Sequence, residues 1–314
     1  MSGAATPVVV AHKAARPAWP RRLLDAATPV LYLLPALAGL VLWVYKPLIQ
    51  TFQYSFYKWD LLPTNPRVFV GWSNYHRVLT LPQLWSALRT TGIYIVGMLV
   101  LAVLVPLVLA VLTQQVGPRA RSVYRTLVFV PVLVAPVVAA TMWSFMLAPN
   151  GGIVGQVLSW FGVGQVNWLQ EPGTARLSIV LISGWKLVGV SLLVVSAGLA
   201  AISSDYYEAA EIDGATRWQT FREVTVPLLS PTLLFLVMTS VLLSSQIVFP
   251  LLNSLTQGGP AGATTDIYYF LYQYGFSSFD VGLASAAAVL FFILFGLVAL
   301  GCVKLLDRFS FYDN

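Results

Sequence analysis

The chain is 314 residues long, 58% apolar and only 10% charged, with a mean hydropathy of +0.77 and a net charge of +6. A soluble core cannot absorb that much apolar surface, so the composition requires a membrane protein. The basic residues are scattered over separate segments, which argues against nucleic-acid binding, and a single cysteine, Cys302, excludes an intramolecular disulfide.

A hydrocarbon core of roughly 30 Å takes about 20 helical residues to cross. Six apolar runs reach that length: 30–49, 91–112, 126–147, 177–202, 228–252 and 281–306. The sequence therefore predicts an all-α polytopic membrane protein with six transmembrane helices. A tail, 1–27, precedes a membrane domain, 28–306, and a short tail, 307–314, follows it. The triplet Ala36-Leu37-Ala38 suits a leader-cleavage site but falls inside the first run, so that run reads as an uncleaved span. Prolines and glycines within the runs are tolerable in lipid-embedded helices.

Placing both termini in the cytosol puts eleven Lys and Arg residues in inner segments and five in outer ones. That asymmetry favours the assignment, and Trp59, Trp72, Trp85, Trp160 and Trp168 then fall in outer loops at headgroup level.

Polar residues within the runs are candidates for a transport pathway. Lys186 lies about ten residues, or roughly 15 Å, into the fourth run. It either meets an anionic or hydroxylated solute or pairs with a backbone carbonyl, a partner subunit or the interface. In the fifth run Gln246 and Asn253, with Phe249, suit a polyhydroxylated ligand, while Ser244 and Ser245 suit helix–helix hydrogen bonds. Trp143 could stack on a sugar face or simply pack. The small residues 284–288 allow close approach of another helix.

Between the fourth and fifth runs lies a charged insert, 203–227. Asp205 with Glu208 and Thr216 with Gln219 have capping-box spacing, which predicts two short helices, with Gly214 turning the chain between them. Trp218, Phe221 and Val224 make one apolar face, and Pro227 opens the next run.

The pattern Glu208-Ala209-Ala210-x-Ile212-Asp213-Gly214-Ala215 with Trp218, Gln219, Phe221 and a distal Pro227-Leu228-Leu229-x-Pro231 resembles the coupling loop of binding-protein-dependent ABC importer permeases, in their carbohydrate and glycerol-phosphate branch. Three further segments are similar to that branch: Phe69-Val70-Gly71 with Asn74-Tyr75, Asn167-Trp168-Leu169 with Pro172, and Thr256-Gln257-Gly258-Gly259-Pro260. The resemblance covers nearly everything after residue 28. Two positions depart from it: Pro250 stands where the branch has an acidic residue, and Asn253 where it has Tyr.

The resemblance implies an ATP-driven importer subunit of the bacterial inner membrane, working by alternating access. Glu208, Ala209, Ala210, Asp213, Gly214, Ala215, Trp218, Phe221 and Pro227 would then couple it to an ATPase dimer. A second, non-identical permease and an extracytoplasmic substrate-binding protein complete the assembly that the resemblance implies. No Gly precedes a Lys, so the phosphate-cradling loop of an ATPase is missing, and ATP and Mg are expected on separate subunits. His12 and His76 have no neighbours at metal-ligand spacing, and no nucleophile–base pair stands out, so neither a metal site nor an enzyme is expected. Two other readings stay open at this point: an ion-driven secondary transporter, which would want intramembrane carboxylates, and a membrane scaffold using the insert for another partner.

Overall fold

The computed structural model describes residues 32–62 and 64–309, with side chains through residue 304. The expected tail 1–27 and the last five residues of the tail 307–314 lie outside the described residues. The chain divides into two units, 1–51 and 52–314.

The described part of the first unit belongs to one apolar helix, α1 (Tyr32–Tyr54), and none of its membrane-length window is buried. A π turn, Val41–Tyr45, precedes Pro47, and the Lys46 amide bonds the Val41 carbonyl five residues back. Proline has no N–H and its ring clashes with the i−4 carbonyl, so one widened turn absorbs it.

The second unit opens with a two-residue antiparallel ribbon, β1 (Tyr57–Lys58) and β2 (Val68–Phe69). Helices α2 (Ser73–Thr80) and α3 (Pro82–Gln114) follow, then α4 (Pro118–Leu133), α5 (Pro136–Met146) and α6 (Ile153–Ser159). After α7 (Pro172–Ala201) come α8 (Ser204–Ile212), α9 (217–228), α10 (Ser230–Leu255), α11 (Ile267–Tyr272) and α12 (Val281–Phe309).

Five described helices are long and apolar enough to cross a membrane: α1, α3, α7, α10 and α12. The expected third span, 126–147, is a broken one: α4 and α5 meet at 98°, and the total is six if that pair counts as one span. Pro136 explains the break. A residue before proline is driven out of the helical region, and Val134 (ψ 125°) and Ala135 (ψ 141°) are both extended. Helix α3 starts nine residues before its expected run, at Pro82, because Arg89 and other polar residues hide a continuous helix from a search for apolar runs.

Helix α7 is the axis of the second unit, packing against α3, α4 and α10. One core joins Tyr94 and Met98 of α3, Ile179 and Ile182 of α7, and Val248 and Leu251 of α10. Another joins α2, α3, α11 and α12 around Tyr75, Phe270 and Leu283. Gly189 lets α7 touch α4, since a Cβ there would strike the Val128 carbonyl and the Phe129 backbone.

The segment between α10 and α11 is bolted to the bundle. The Tyr94 hydroxyl donates to the Thr264 carbonyl (2.9 Å), Arg176 Nε donates to the Ala263 carbonyl (2.7 Å), and the Ile267 amide donates to Thr91 Oγ1 (3.0 Å). Asp266 closes it as the N-cap of α11. Its Oδ1 accepts the Tyr269 amide at 2.8 Å, while Oδ2 is buried without a partner. Burial pushes this carboxyl up to about 6, partly offset by the Tyr269 amide.

Two outcomes follow from these contacts. Gly189→Val should lower stability by about 1–3 kcal/mol, the usual cost of overpacking, read as a lower unfolding temperature in detergent. Asp266 holds its proton in the folded chain to higher pH than the unfolded value of 3.8. Its contribution to stability is therefore full below about pH 4, falls as pH rises to about 6, and is flat above. Asp266→Asn keeps a capping oxygen but cannot ionise, so it should match wild type at pH 4 and unfold at higher temperature at pH 8, by at most about 3 kcal/mol. A variant no more stable than wild type at pH 8 would contradict this.

Candidate functional site

The insert 203–227 forms the two short helices expected, with one change. The N-cap of α8 is Ser203, whose hydroxyl accepts the Asp205 amide at 3.3 Å; Asp205 is inside the first turn and makes no capping box with Glu208. An acidic side chain there still opposes the positive end of the helix dipole. The box at Thr216 is present in both halves: Gln219 Oε1 accepts the Thr216 amide at 2.8 Å and Thr216 Oγ1 accepts the Gln219 amide at 3.3 Å.

Between the helices the chain closes a Schellman turn. The Gly214 amide donates to the Glu211 carbonyl (3.0 Å) and the Ala215 amide to the Ala210 carbonyl (2.9 Å). Gly214 has φ +73°, where a Cβ is costly; nothing lies within 4 Å of where that Cβ would be, so the demand is conformational rather than spatial.

Helix α9 runs into α10 with one non-helical residue, Leu229, between them. Leu229 is 1% exposed and sits in a core with Leu107 of α3 and Leu199 of α7, against which Phe221 also packs. A second π turn, 220–225, precedes Pro227, and the Val226 amide reaches back to the Phe221 carbonyl.

Of the residues singled out in the sequence, Glu208, Ala209, Asp213, Gly214 and Trp218 are exposed. Ala215, Phe221 and Pro227 are half-buried, and Ala210 is buried, so Ala210 and most of Phe221 serve the chain's own packing. Trp218 stays two-thirds exposed while its ring lies 5.5 Å from that of Phe221. Among the described residues Glu208 and Asp213 make no ion pair. Ala209, Asp213, Gly214, Gln219 and Glu223 line a hollow of about 460 Å³ on this loop. A second, of about 420 Å³, brings Gln114 at the end of α3 beside Glu211, Arg217 and Phe221.

The pathway candidates separate into two groups. Gln246, Phe249 and Asn253 recur at i, i+3 and i+7 on one face of α10, with Gln246 exposed and the other two half-buried. The Phe249 ring lies 5.5 Å from Tyr272 and 6.3 Å from Tyr269. Lys186 is buried on α7, and its amine donates to the Pro131 and Val134 carbonyls at the break between α4 and α5. Of the alternatives open in the sequence, that is the backbone-carbonyl pairing. Trp143 stacks edge-on against Trp185 at 5.7 Å beside the first core, its indole N–H buried without a partner.

The remaining motifs are loop architecture. Asn74 donates from Nδ2 to the Ser55 and Tyr57 carbonyls (2.9 and 3.0 Å), Gly71 turns at φ +56°, and Thr264 joins Thr256 Oγ1 (2.9 Å) to the Gly259 carbonyl (2.7 Å). The sequence reading missed Asp266, although an Asp ahead of the aromatic run Ile267–Tyr272 is a helix-start signal.

Comparison with known proteins agrees with this arrangement. Residues 3–311 match the family described as binding-protein-dependent transport system inner membrane component. A trehalose/maltose transport system permease protein of Thermococcus litoralis is 34% identical over 86% of this chain and 90% of its own length. An sn-glycerol-3-phosphate transport system permease protein of Pectobacterium atrosepticum is 31% identical over 85% and 89%. The fold superposes with a TM-score of 0.80, at 25% identity and over 92% of this chain and all of the other, on a crystal structure of a bacterial ABC transporter involved in the import of the acidic polysaccharide alginate. The chain belongs to the binding-protein-dependent transport system inner membrane components, the permease subunits of ABC importers.

Proposed function

We propose that this permease carries a sugar or glycerol-phosphate-type solute inward, and that the loop 203–227 is where ATPase subunits grip it. The observation carrying this is mechanical. A helix pair fixed by a Schellman turn and a capping box is nearly continuous with α10, a helix of membrane-spanning length, so a push on α8 is delivered to α10. Glu208 and Asp213 offer charge-assisted contacts, Ala209 and Trp218 fill a cleft, and Ala210, Ala215, Phe221 and Pro227 hold the grip in place. The solute class rests on what the relatives are named for.

On this reading the chain has no ATPase site of its own, and ATP and Mg sit on separate subunits. A second permease and an extracytoplasmic binding protein complete the assembly, and both termini lie on the loop's side of the membrane. Gln246, Phe249 and Asn253 line the solute's route along α10, where amide groups can donate and accept without charge. Lys186 and Trp143 shape the wall behind it.

A mild-detergent pull-down of the tagged chain from its host tests the assembly. An ATPase, a second permease and a binding protein should co-elute, with the ATPase weakened by Glu208→Lys; a wild-type sample without ATPase, where a control complex survives, would refute it. Gly214→Val forces a β-branched residue into positive φ, at a cost of about 1–3 kcal/mol. It should lower ATP-dependent uptake roughly tenfold at unchanged membrane abundance, the scale of a lost coupling energy. Full uptake by this variant would remove the loop from the mechanism.

A further inference from the structure

A cavity of about 410 Å³ lies at the start of the broken span, lined by Arg121, Ser122, Arg125, Thr126 and Phe129 of α4 and by Leu193 of α7. Its lining holds no carboxylate. The two arginines stand at i and i+4, where like charges on one helix face repel.

Their situations differ. Arg121 is satisfied: Nε donates to the Thr113 carbonyl (3.0 Å) and Nη2 to the Gln114 carbonyl (2.8 Å), so it caps the end of α3. Arg125 makes no ion pair among the described residues, and its Nε is buried with no hydrogen-bond partner. A guanidinium N–H withdrawn from water without an acceptor is costly, and an anion in the cavity supplies that acceptor.

Position and lining identify the anion. Gln114 borders the hollow formed with Glu211 and Arg217, so this end of the bundle is the coupling-loop end. Arg125 lies seven residues into α4, roughly 10 Å along its axis, a depth near the boundary between headgroups and hydrocarbon. Beside it Val123, Leu127 and Val130 are at least 49% exposed on the same membrane-length helix pair, and Leu193 in the cavity wall is 40% exposed. The cavity is thus cationic and hydroxyl-lined toward the helix start, apolar deeper in, and open to the lipid-facing surface.

We infer that this cavity binds the phosphate of an anionic phospholipid in the leaflet on the coupling-loop side, with Arg125 as its main ligand and Phe129 and Leu193 against the adjoining acyl chain. Ser122 adds a hydroxyl donor, and the fork of a guanidinium matches two phosphate oxygens. Basic pockets between membrane helices on the cytoplasmic side are suited to this role. A bound lipid would brace α4 against α7 below the break.

The test is native mass spectrometry of the detergent-purified full chain, titrated with phosphatidylglycerol or with phosphatidylcholine of the same acyl chains. Wild type should retain phosphatidylglycerol at least about fivefold better, the effect of one basic residue near an anionic surface. Arg125→Gln should fall to the phosphatidylcholine level, and Arg125→Lys should keep part of the preference. Arg119→Gln, outside the cavity lining, should keep all of it. Size-exclusion profiles like that of wild type establish that the variants fold. Equal retention of the two lipids by wild type, or an undiminished preference in Arg125→Gln, would overturn the assignment. Displacement of the lipid by an equal concentration of inorganic phosphate would overturn it too, making this a free-anion site. None of these readouts depends on the cargo or on the ATPase.

Discussion

Hydrocarbon offers the backbone no hydrogen bonds, so each place where proline removes an N–H from a membrane helix must be repaired from within the protein. At four of its prolines this chain meets that constraint in two ways, while Pro131 and Pro250 lie inside α4 and α10 with neither device. Before Pro47, Pro106 and Pro227 the helix widens by one π turn, and the amide just ahead of each proline reaches five residues back, to Val41, Val100 and Phe221. At Pro136 the helix breaks; the Val134 amide still reaches the Pro131 carbonyl, but the Pro131 and Val134 carbonyls stay open to a donor from outside α4. Lys186 meets them from α7. A cation at a helix C-terminus is favoured by the dipole as well as by the hydrogen bonds, so one buried amine answers both demands of the break.

The same repair shapes the loop 203–227. The π turn ahead of Pro227 lets α9 continue toward α10 with only Leu229 out of helical register, and Leu229 is packed between α3 and α7. A flexible linker would absorb a push on the loop. A capped, nearly continuous helix seated on a core residue transmits it to α10, whose C-terminal half carries Gln246, Phe249 and Asn253 on one face. On the proposed reading the route from loop to solute runs through nearly continuous helix, which is a more direct physical basis for coupling than adjacency alone.

Much of this was legible in the residues. Apolar runs located every long helix, because membrane spans are set by length and hydropathy. The Gly214 turn and the Thr216 capping box were readable because their hydrogen bonds are local. What escaped was nonlocal or masked by polarity. Arg89 concealed the first turns of α3, and three short helices, α2, α6 and α11, fall below the length that periodicity detects. The 98° break was signalled by Pro131 and Pro136 but not fixed by them, since kinked and continuous helices share that composition. Lys186 read as a solute contact or as a partner of a backbone carbonyl, another subunit or the interface, and only the fold brings Pro131 and Val134, 52 or more positions away, against its amine.

The buried and half-buried charges of the bundle share one logic. Lys186, Arg121 and Arg176 each donate to main-chain carbonyls where a helix ends or a loop turns, so their charge stabilises interrupted backbone. Asp266 does the complementary work, accepting an amide where α11 begins. A transport route for a neutral, hydroxylated solute is better lined by amides and aromatics, because a fixed charge would hold water against the solute or bind it too firmly to release. Lys186, Arg121 and Arg176 are accordingly at joints, and Gln246 and Asn253 share one face of α10. Arg125, unlike Arg121, serves no joint among the described residues, and its buried Nε at the lipid-facing end of α4 points to a partner in the membrane rather than in the protein.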